Sequence, residues 1–210
     1  MGVTLNQGLP AGATPLTDDD MRGLLISTVF DRAALNRAEA ENIAKAKTYF
    51  LGHRRKYRDL GYLLSDECIK DVHKRMFGDV WEWAGKYRVH DTNIGDAWAL
   101  VPVKTRDLLL NYKERCKHTN GSDQEIDRLA VSLHFDLVSI HPFPNGNGRH
   151  ARQIADLLLA AYDKPVFPWK NADLVQDGTV RQEYIAAIRH AASYETKNDI
   201  EPLLAVAWGL

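Results

Sequence analysis

The sequence predicts a nearly all-α fold, a helical bundle with one small β-hairpin. Three observations carry that prediction. Most of the chain repeats apolar residues at the 3.6-residue helical period, and only two short runs, Tyr87 to Asn93 and Trp98 to Val103, have strand-like composition. The third is size: 210 residues, 45% hydrophobic and 26% charged, suit one folded domain whose core needs no disulfide staples.

In chain order, residues 1–16 are rich in Gly, Pro, Thr and Asn and read as a loosely ordered arm. Residues 17–59 read as N-terminal helices: a short one after the cap Thr17, opened by Asp18, Asp19 and Asp20, then a long one from Asp31 to Leu51 carrying Leu35, Ala38, Ile43, Ala46 and Phe50. Ser65 caps a helix through Ile69, Val72 and Met76 to Phe77, after which Gly78-Asp79 turns into a segment with two tryptophans, Trp81 and Trp83, read as core. Asn93, Gly95 and Asp96 supply turn chemistry between the two strand-like runs, which gives the hairpin over 87–103. Helical patterns then cover Thr105 to Lys117, Ser122 to Ile140, Asn147 to Tyr162, Thr179 to Tyr194 and Asp199 to Trp208. The core of the domain is placed at 60–195, with a C-terminal helix in 196–210 packed on it.

Composition narrows the function. With 27 Lys+Arg against 28 Asp+Glu the formal net charge is −1, so no global field draws nucleic acid or anionic membrane, and the cluster His53 to Arg58 reads as a solvated face. Cys68 and Cys116 lack metal or redox spacing and read as reduced, apolar thiols of a cytoplasmic protein. Met1 to Pro15 has no signal-peptide pattern, the apolar run Leu157 to Tyr162 is far too short to span a membrane, and Asn6 stands where a myristoylation signal requires Ser or Thr.

The chemistry lies between two apolar helices. Ile126, Leu129, Ala130, Leu133, Leu137 and Ile140 draw one buried stripe, Pro142 and Pro144 end that helix, and Asn145-Gly146-Asn147-Gly148 makes a tight loop before the next. A helix starting near Asn147 points unpaired N–H groups and its positive dipole end at the loop, which favours phosphate; Arg149 and Arg152, three apart, lie on one side of the same concavity. His141 at the opposite lip is a candidate general base. The residues alone leave two readings open: a base beside a phosphate cradle, or a hydrogen-bonded core histidine with two surface arginines.

The run His141-Pro142-Phe143-Pro144-Asn145-Gly146-Asn147-Gly148-Arg149-His150-Ala151-Arg152 resembles the motif HxFx(D/E)GNGRxxR of the Fic/Doc superfamily, and Phe77 to Arg88 resembles the segment leading into its hairpin, or flap. The resemblance covers about residues 60–195. It implies the Fic fold and transfer of AMP from ATP to a Ser, Thr or Tyr hydroxyl of a target protein. By the same resemblance His141 is the base, Gly146, Asn147, Gly148, Arg149 and Arg152 bind the nucleotide phosphates, Phe143 anchors the loop, and the hairpin docks the target. Asn145 stands where the family usually has Asp or Glu for Mg²⁺, and a neutral carboxamide is a weaker ligand for a hard cation. Gly148 stands where the phosphate-transferring Doc proteins have Lys, which puts AMP transfer ahead of phosphoryl transfer. Glu41-Asn42 matches the end of the family's inhibitory pattern (S/T)xxxE(G/N), although position 37 is Arg, so Glu41 is a candidate inhibitory residue directed at Arg152. A narrower likeness to small bacterial Fic proteins of mobile elements, labelled mobile mystery protein B, implies a toxin or regulatory role and a small DNA-binding partner.

Two other readings stand beside this one. His134 and His141, with Asp136 or His150, suggest a metal hydrolase, but His134 lies on the apolar stripe and reads as a core histidine. The second is a nucleotide-binding interaction module whose turnover is reduced by Asn145.

Overall fold

Helix boundaries follow the caps written in the chain. In the computed structural model, which describes residues 9, 12–29, 31–169, 178–196 and 198–210, Thr17 and Asp20 form a reciprocal capping box that opens α1 (Asp18–Arg22). Asp31 accepts from the Ala34 N–H to open α2 (Arg32–Gly52). The basic cluster coils into α3 (Arg54–Arg58), followed by α4 (Leu60–Leu63). Ser65 caps α5 (Asp66–Phe77) through the Cys68 N–H. Then come α6 (Val101–His118), α7 (Asp123–Ile140), α8 (Asn147–Ala161), α9 (Thr179–Ala192) and α10 (Glu201–Trp208).

The antiparallel pair α7 and α8 is the centre, built on Ile126, Leu133 and Leu137 against Ile154 and Leu158, all buried. On it lies α5, with α2 packed against α5, while α10 covers α9 and α7. Residues 12–16 of the N-terminal arm are described and packed, with Thr14 and Leu16 buried. Both cysteines are free and buried; burial pushes the Cys68 thiol up to about 12. No helix among the described residues is long and apolar enough to cross a membrane.

The structure corrects the prediction at 87–103. There is no hairpin, nor any strand among the described residues beyond the isolated bridge between Leu24 and Trp81. Trp98–Leu100 instead forms a 3₁₀ turn that runs into α6, whose first turn contains Pro102. Proline fits a first helical turn and has no N–H for a ladder, so the second strand is lost. Without a partner, 87–97 is held by other bonds: the Arg88 N–H to the Pro142 carbonyl at 3.0 Å, the Asp96 N–H to the Ile140 carbonyl at 3.3 Å, and the Trp98 N–H to Asp91 Oδ1 at 2.8 Å. The target-docking role expected of a flap falls with it.

Candidate functional site

Helix α7 ends at His141, which takes left-handed angles (φ 57°, ψ 62°) and returns its N–H to the Leu137 carbonyl. The turn exposes carbonyls that must be satisfied, and the side chain of Arg88 reaches them. Its Nε donates to the His141 carbonyl at 2.7 Å and Nη1 to the His90 carbonyl at 2.9 Å, and Nη2 bonds the Asp96 carbonyl. The guanidinium is fully buried, its charge set against the negative end of α7. Sequence reasoning missed Arg88, because nothing in its spacing marks it; only the fold brings it to that helix end.

The His141 ring is buried, 5% exposed. Burial, with the nearby Arg88 charge adding to it, lowers its pKa to about 4, so the ring is neutral at pH 7. Nε2 lies 2.9 Å from the Thr14 hydroxyl. Nδ1 makes no hydrogen bond of standard geometry, and the Val138 backbone nearby works against the lowering. With the proton of the neutral ring on Nδ1, the Nε2 lone pair accepts from Thr14.

Below the loop, Phe143 is fully buried, stacked on His73 at 3.7 Å and edge-on to His150 at 5.0 Å. His73 donates from Nε2 to the Asn145 carbonyl at 3.0 Å and accepts the Gly85 N–H at Nδ1, also 3.0 Å, which defines a neutral tautomer. Asn147 clamps both main-chain groups of Phe143, accepting its N–H at 2.9 Å and donating to its carbonyl at 2.8 Å. Its carboxamide is therefore committed to the loop and not to the concavity. Gly146 has φ 79°, and a Cβ there would lie 2.5 Å from the Phe77 ring. Gly146→Ala is expected to cost about 2 kcal/mol through left-handed strain and overpacking; an unchanged urea midpoint would refute the close approach.

Helix α8 begins at the loop with no side-chain cap, leaving its first amides turned toward it. Arg149 lies over the Phe77 ring and pairs with Glu39 at 2.7 Å. Glu39 is 2% exposed and also accepts the Trp81 indole N–H at 2.7 Å. Arg152 packs over the Tyr184 and Trp169 rings and has no carboxylate in ion-pair range among the described residues. A Cβ on Gly148 would lie 3.4 Å from the Tyr184 hydroxyl and 3.7 Å from an Arg152 nitrogen, so backbone and guanidinium share one side of the concavity.

The structure therefore brings together the 141–149 loop and the two arginines, but not Glu41. That residue is exposed, and the carboxylate α2 delivers is Glu39, to Arg149 and not to Arg152. The signal was present: Leu35, Glu39, Asn42, Ala46 and Phe50 are the buried residues of α2 and recur at helical spacing, so Glu39 lies in phase with the apolar stripe. Asn145 Oδ1 accepts the Gly146 N–H at 2.6 Å, and no group of three or more His, Cys, Asp or Glu gathers to hold a metal among the described residues. Protein side chains alone form no resident Mg²⁺ site among the described residues. His134 is a core residue, bonded through Nε2 to the Tyr184 hydroxyl at 3.0 Å.

A family model for the Fic/DOC family matches residues 63–159. The chain is 30% identical over 132 residues to the protein adenylyltransferase VbhT of Bartonella schoenbuchensis, covering 59% of this chain and 26% of that protein. It is 28% identical over 147 residues to the protein adenylyltransferase fic-1 of Caenorhabditis elegans, covering 67% and 26%. The chain thus spans about a quarter of the length of these relatives. Among solved structures, BepC from Bartonella tribocorum with bound AMPPNP superposes with a TM-score of 0.65 at 17% identity, covering 91% of this chain and 97% of that one. The N-terminal Fic domain of a Bep effector from Bartonella sp. AR 15-3 gives 0.63 at 17% identity, covering 87% and 84%. Those two likenesses are of fold.

Proposed function

The chain belongs to the Fic/Doc superfamily, and on that premise we propose that it is a protein adenylyltransferase, moving AMP from ATP to a Ser, Thr or Tyr hydroxyl of a target protein. The observation that carries this reading is the neutral His141 ring, whose Nε2 already holds an alcohol at 2.9 Å, beside a glycine-rich helix start and two arginines. The adenylyltransferases among its relatives support the reaction class, and the AMPPNP bound by BepC supports a nucleotide in this fold.

In the proposed reaction the acceptor oxygen attacks the α-phosphorus of ATP while its proton passes to His141 Nε2, and the electron pair of the breaking bond leaves on pyrophosphate. The α8 amides from Asn147, Gly148 and Arg149 face the developing phosphate charge, and Arg149 and Arg152 hold the outer phosphates. Asn147 takes part through its backbone only. Phe143 keeps the loop seated, and Arg88 fixes the main chain that carries the base.

Glu39 occupies Arg149, so the restraining role suggested for Glu41 passes to Glu39. Glu39→Gln keeps an oxygen for Trp81 and removes the charge competing with phosphate. It is expected to raise ATP turnover about tenfold, about 1.4 kcal/mol of released competition. Equal turnover of the two proteins would remove Glu39 from regulation.

The reading is tested by incubating the protein and a bacterial lysate with ATP labelled at the α- or the γ-phosphate, in Mg²⁺ or Mn²⁺. Protein-bound α-label is the expected result. Label from the γ-phosphate alone would replace AMP transfer by phosphoryl transfer, and nucleotide binding without transfer would leave an interaction module.

A further inference from the structure

Residues 12–16 lie over His141 as an extended strap. They join no helix or bridge, and their burial alternates: Thr14 and Leu16 are buried while Pro15 between them is exposed, the period-two pattern of an extended backbone. Three contacts seat the strap. The Gly12 backbone approaches Ile185 of α9, the Ala13 carbonyl accepts from Asn93 Nδ2 at 3.2 Å, and Leu16 joins the hydrophobic core. Beyond Leu16 the chain is tied down by the Thr17 capping box and by the Trp83 indole, which donates to the Asp20 carbonyl at 3.0 Å.

The His141 ring is closed from two directions. Gly95 closes one, since a Cβ there would lie 2.5 Å from His141 Cβ, and Thr14 closes the other, with Oγ1 2.9 Å from Nε2. Thr14 is itself 6% exposed, so its oxygen is shielded from an approaching phosphorus. The strap thus fills the place of an acceptor and blocks it. Resting on the adenylyltransferase reading above, we propose that residues 12–16 are a displaceable plug of the acceptor subsite. The partner that displaces it is an extended segment of the target protein built on the same plan. A Ser or Thr of that segment faces His141 Nε2, the carbonyl before it meets Asn93 Nδ2, and an apolar side chain two residues on takes the place of Leu16. This restraint is separate from Glu39, which pairs with Arg149 on the nucleotide side, whereas the strap covers the base on the alcohol side. A subsite open for only part of the time binds its ligand more weakly by the fraction open. The plug therefore raises the KM for the acceptor and leaves the affinity for ATP alone.

The test uses the whole chain with α-labelled ATP, Mg²⁺ or Mn²⁺ and a dilute bacterial lysate. It reads the label bound to lysate proteins, the dissociation constant of ATP, and the rate at which diethyl pyrocarbonate modifies His141. Leu16→Ala frees the strap from the core, and Thr14→Gly loosens it without touching the core should the first variant fail to fold. Either is expected to raise lysate labelling about tenfold and to expose His141 to the reagent by about the same factor, with ATP binding within about twofold of wild type. A peptide spanning residues 12–16 with Thr14→Val, which carries no hydroxyl side chain, is expected to return Leu16→Ala to the labelling rate of wild type. Labelling within about twofold of wild type in both variants would overturn the plug while leaving AMP transfer standing. So would a rise that follows tighter ATP binding or resists the peptide, or equal modification of His141 in all three proteins. No α-label from any of them would overturn both readings together.

Discussion

Between pH 6 and pH 5 the protein is expected to lose about 4 kcal/mol of folding stability. Four buried histidines set the size of the effect. Burial lowers His141 and His150 to about 4, and carries His73 and His134 well below the ordinary value. In the unfolded chain each takes a proton near pH 6.5, whereas in the folded chain none does until far lower. The stability they contribute is thus fully present above 6.5 and is lost as the pH falls from there toward 4, at about 1.4 kcal/mol per pH unit for each. Three carboxyls that burial raises oppose them, Asp127, Asp136 and, raised furthest and into this pH window, Asp156. Asp156, raised to about 6 by burial, binds its proton in the folded state first and stabilises as the pH falls below 6. Four protons less one leaves three, hence about 4 kcal/mol per unit, against a total of about 5–15 kcal/mol for a typical domain. Urea midpoints at pH 7, 6 and 5 check this, and a flat series would mean that the histidines are not neutral and buried together.

His141→Asn is expected to lower AMP transfer by about 10²–10⁴-fold, the usual contribution of a positioned general base. Asparagine is chosen because position 141 has φ 57°, a region that asparagine tolerates better than most residues. Melting temperature should therefore change little while turnover collapses, and this separates loss of the base from loss of the fold. A second readout follows from the first prediction: with one buried imidazole removed, the acid loss of stability should become shallower by about 1.4 kcal/mol per pH unit. In wild type, the ring's pKa of about 4 also places the acid limb of the rate profile near pH 4 instead of 6.5, with activity rising as the base loses its proton. Transfer within tenfold of wild type in His141→Asn would exclude His141 as the base.

Much of the scaffold was legible because its signals are local. Thr17, Asp31 and Ser65 each announce a helix start that the structure realises, and α8 begins at Asn147, where the glycines and prolines put it. The hairpin failed for a local reason that composition hid: Trp98 to Val103 is rich in strand-forming residues, but Pro102 lies inside it and suits a helix start better than a ladder. The site was legible only in part. The motif exposes the loop residues, and the stripe of α2 puts Glu39 and not Glu41 on the buried face, but which arginine Glu39 meets depends on how α2 packs against its neighbours. His73 reads as one more polar residue of α5 until Phe143 stacks on it. Arg88 and Thr14 act through contacts 53 and 127 residues distant, and no period in the chain records those.

Cys68 is fully buried, with its thiol pushed up to about 12. Such a thiol is inert to alkylating reagents while the domain is closed and reacts like an ordinary one once α5 is released. Because α5 also carries the His73 that underpins the loop, the rate of alkylation at Cys68 becomes a native clock for departures of the loop's floor. It needs no dye or engineered probe, and a nucleotide that tightens the loop should slow it.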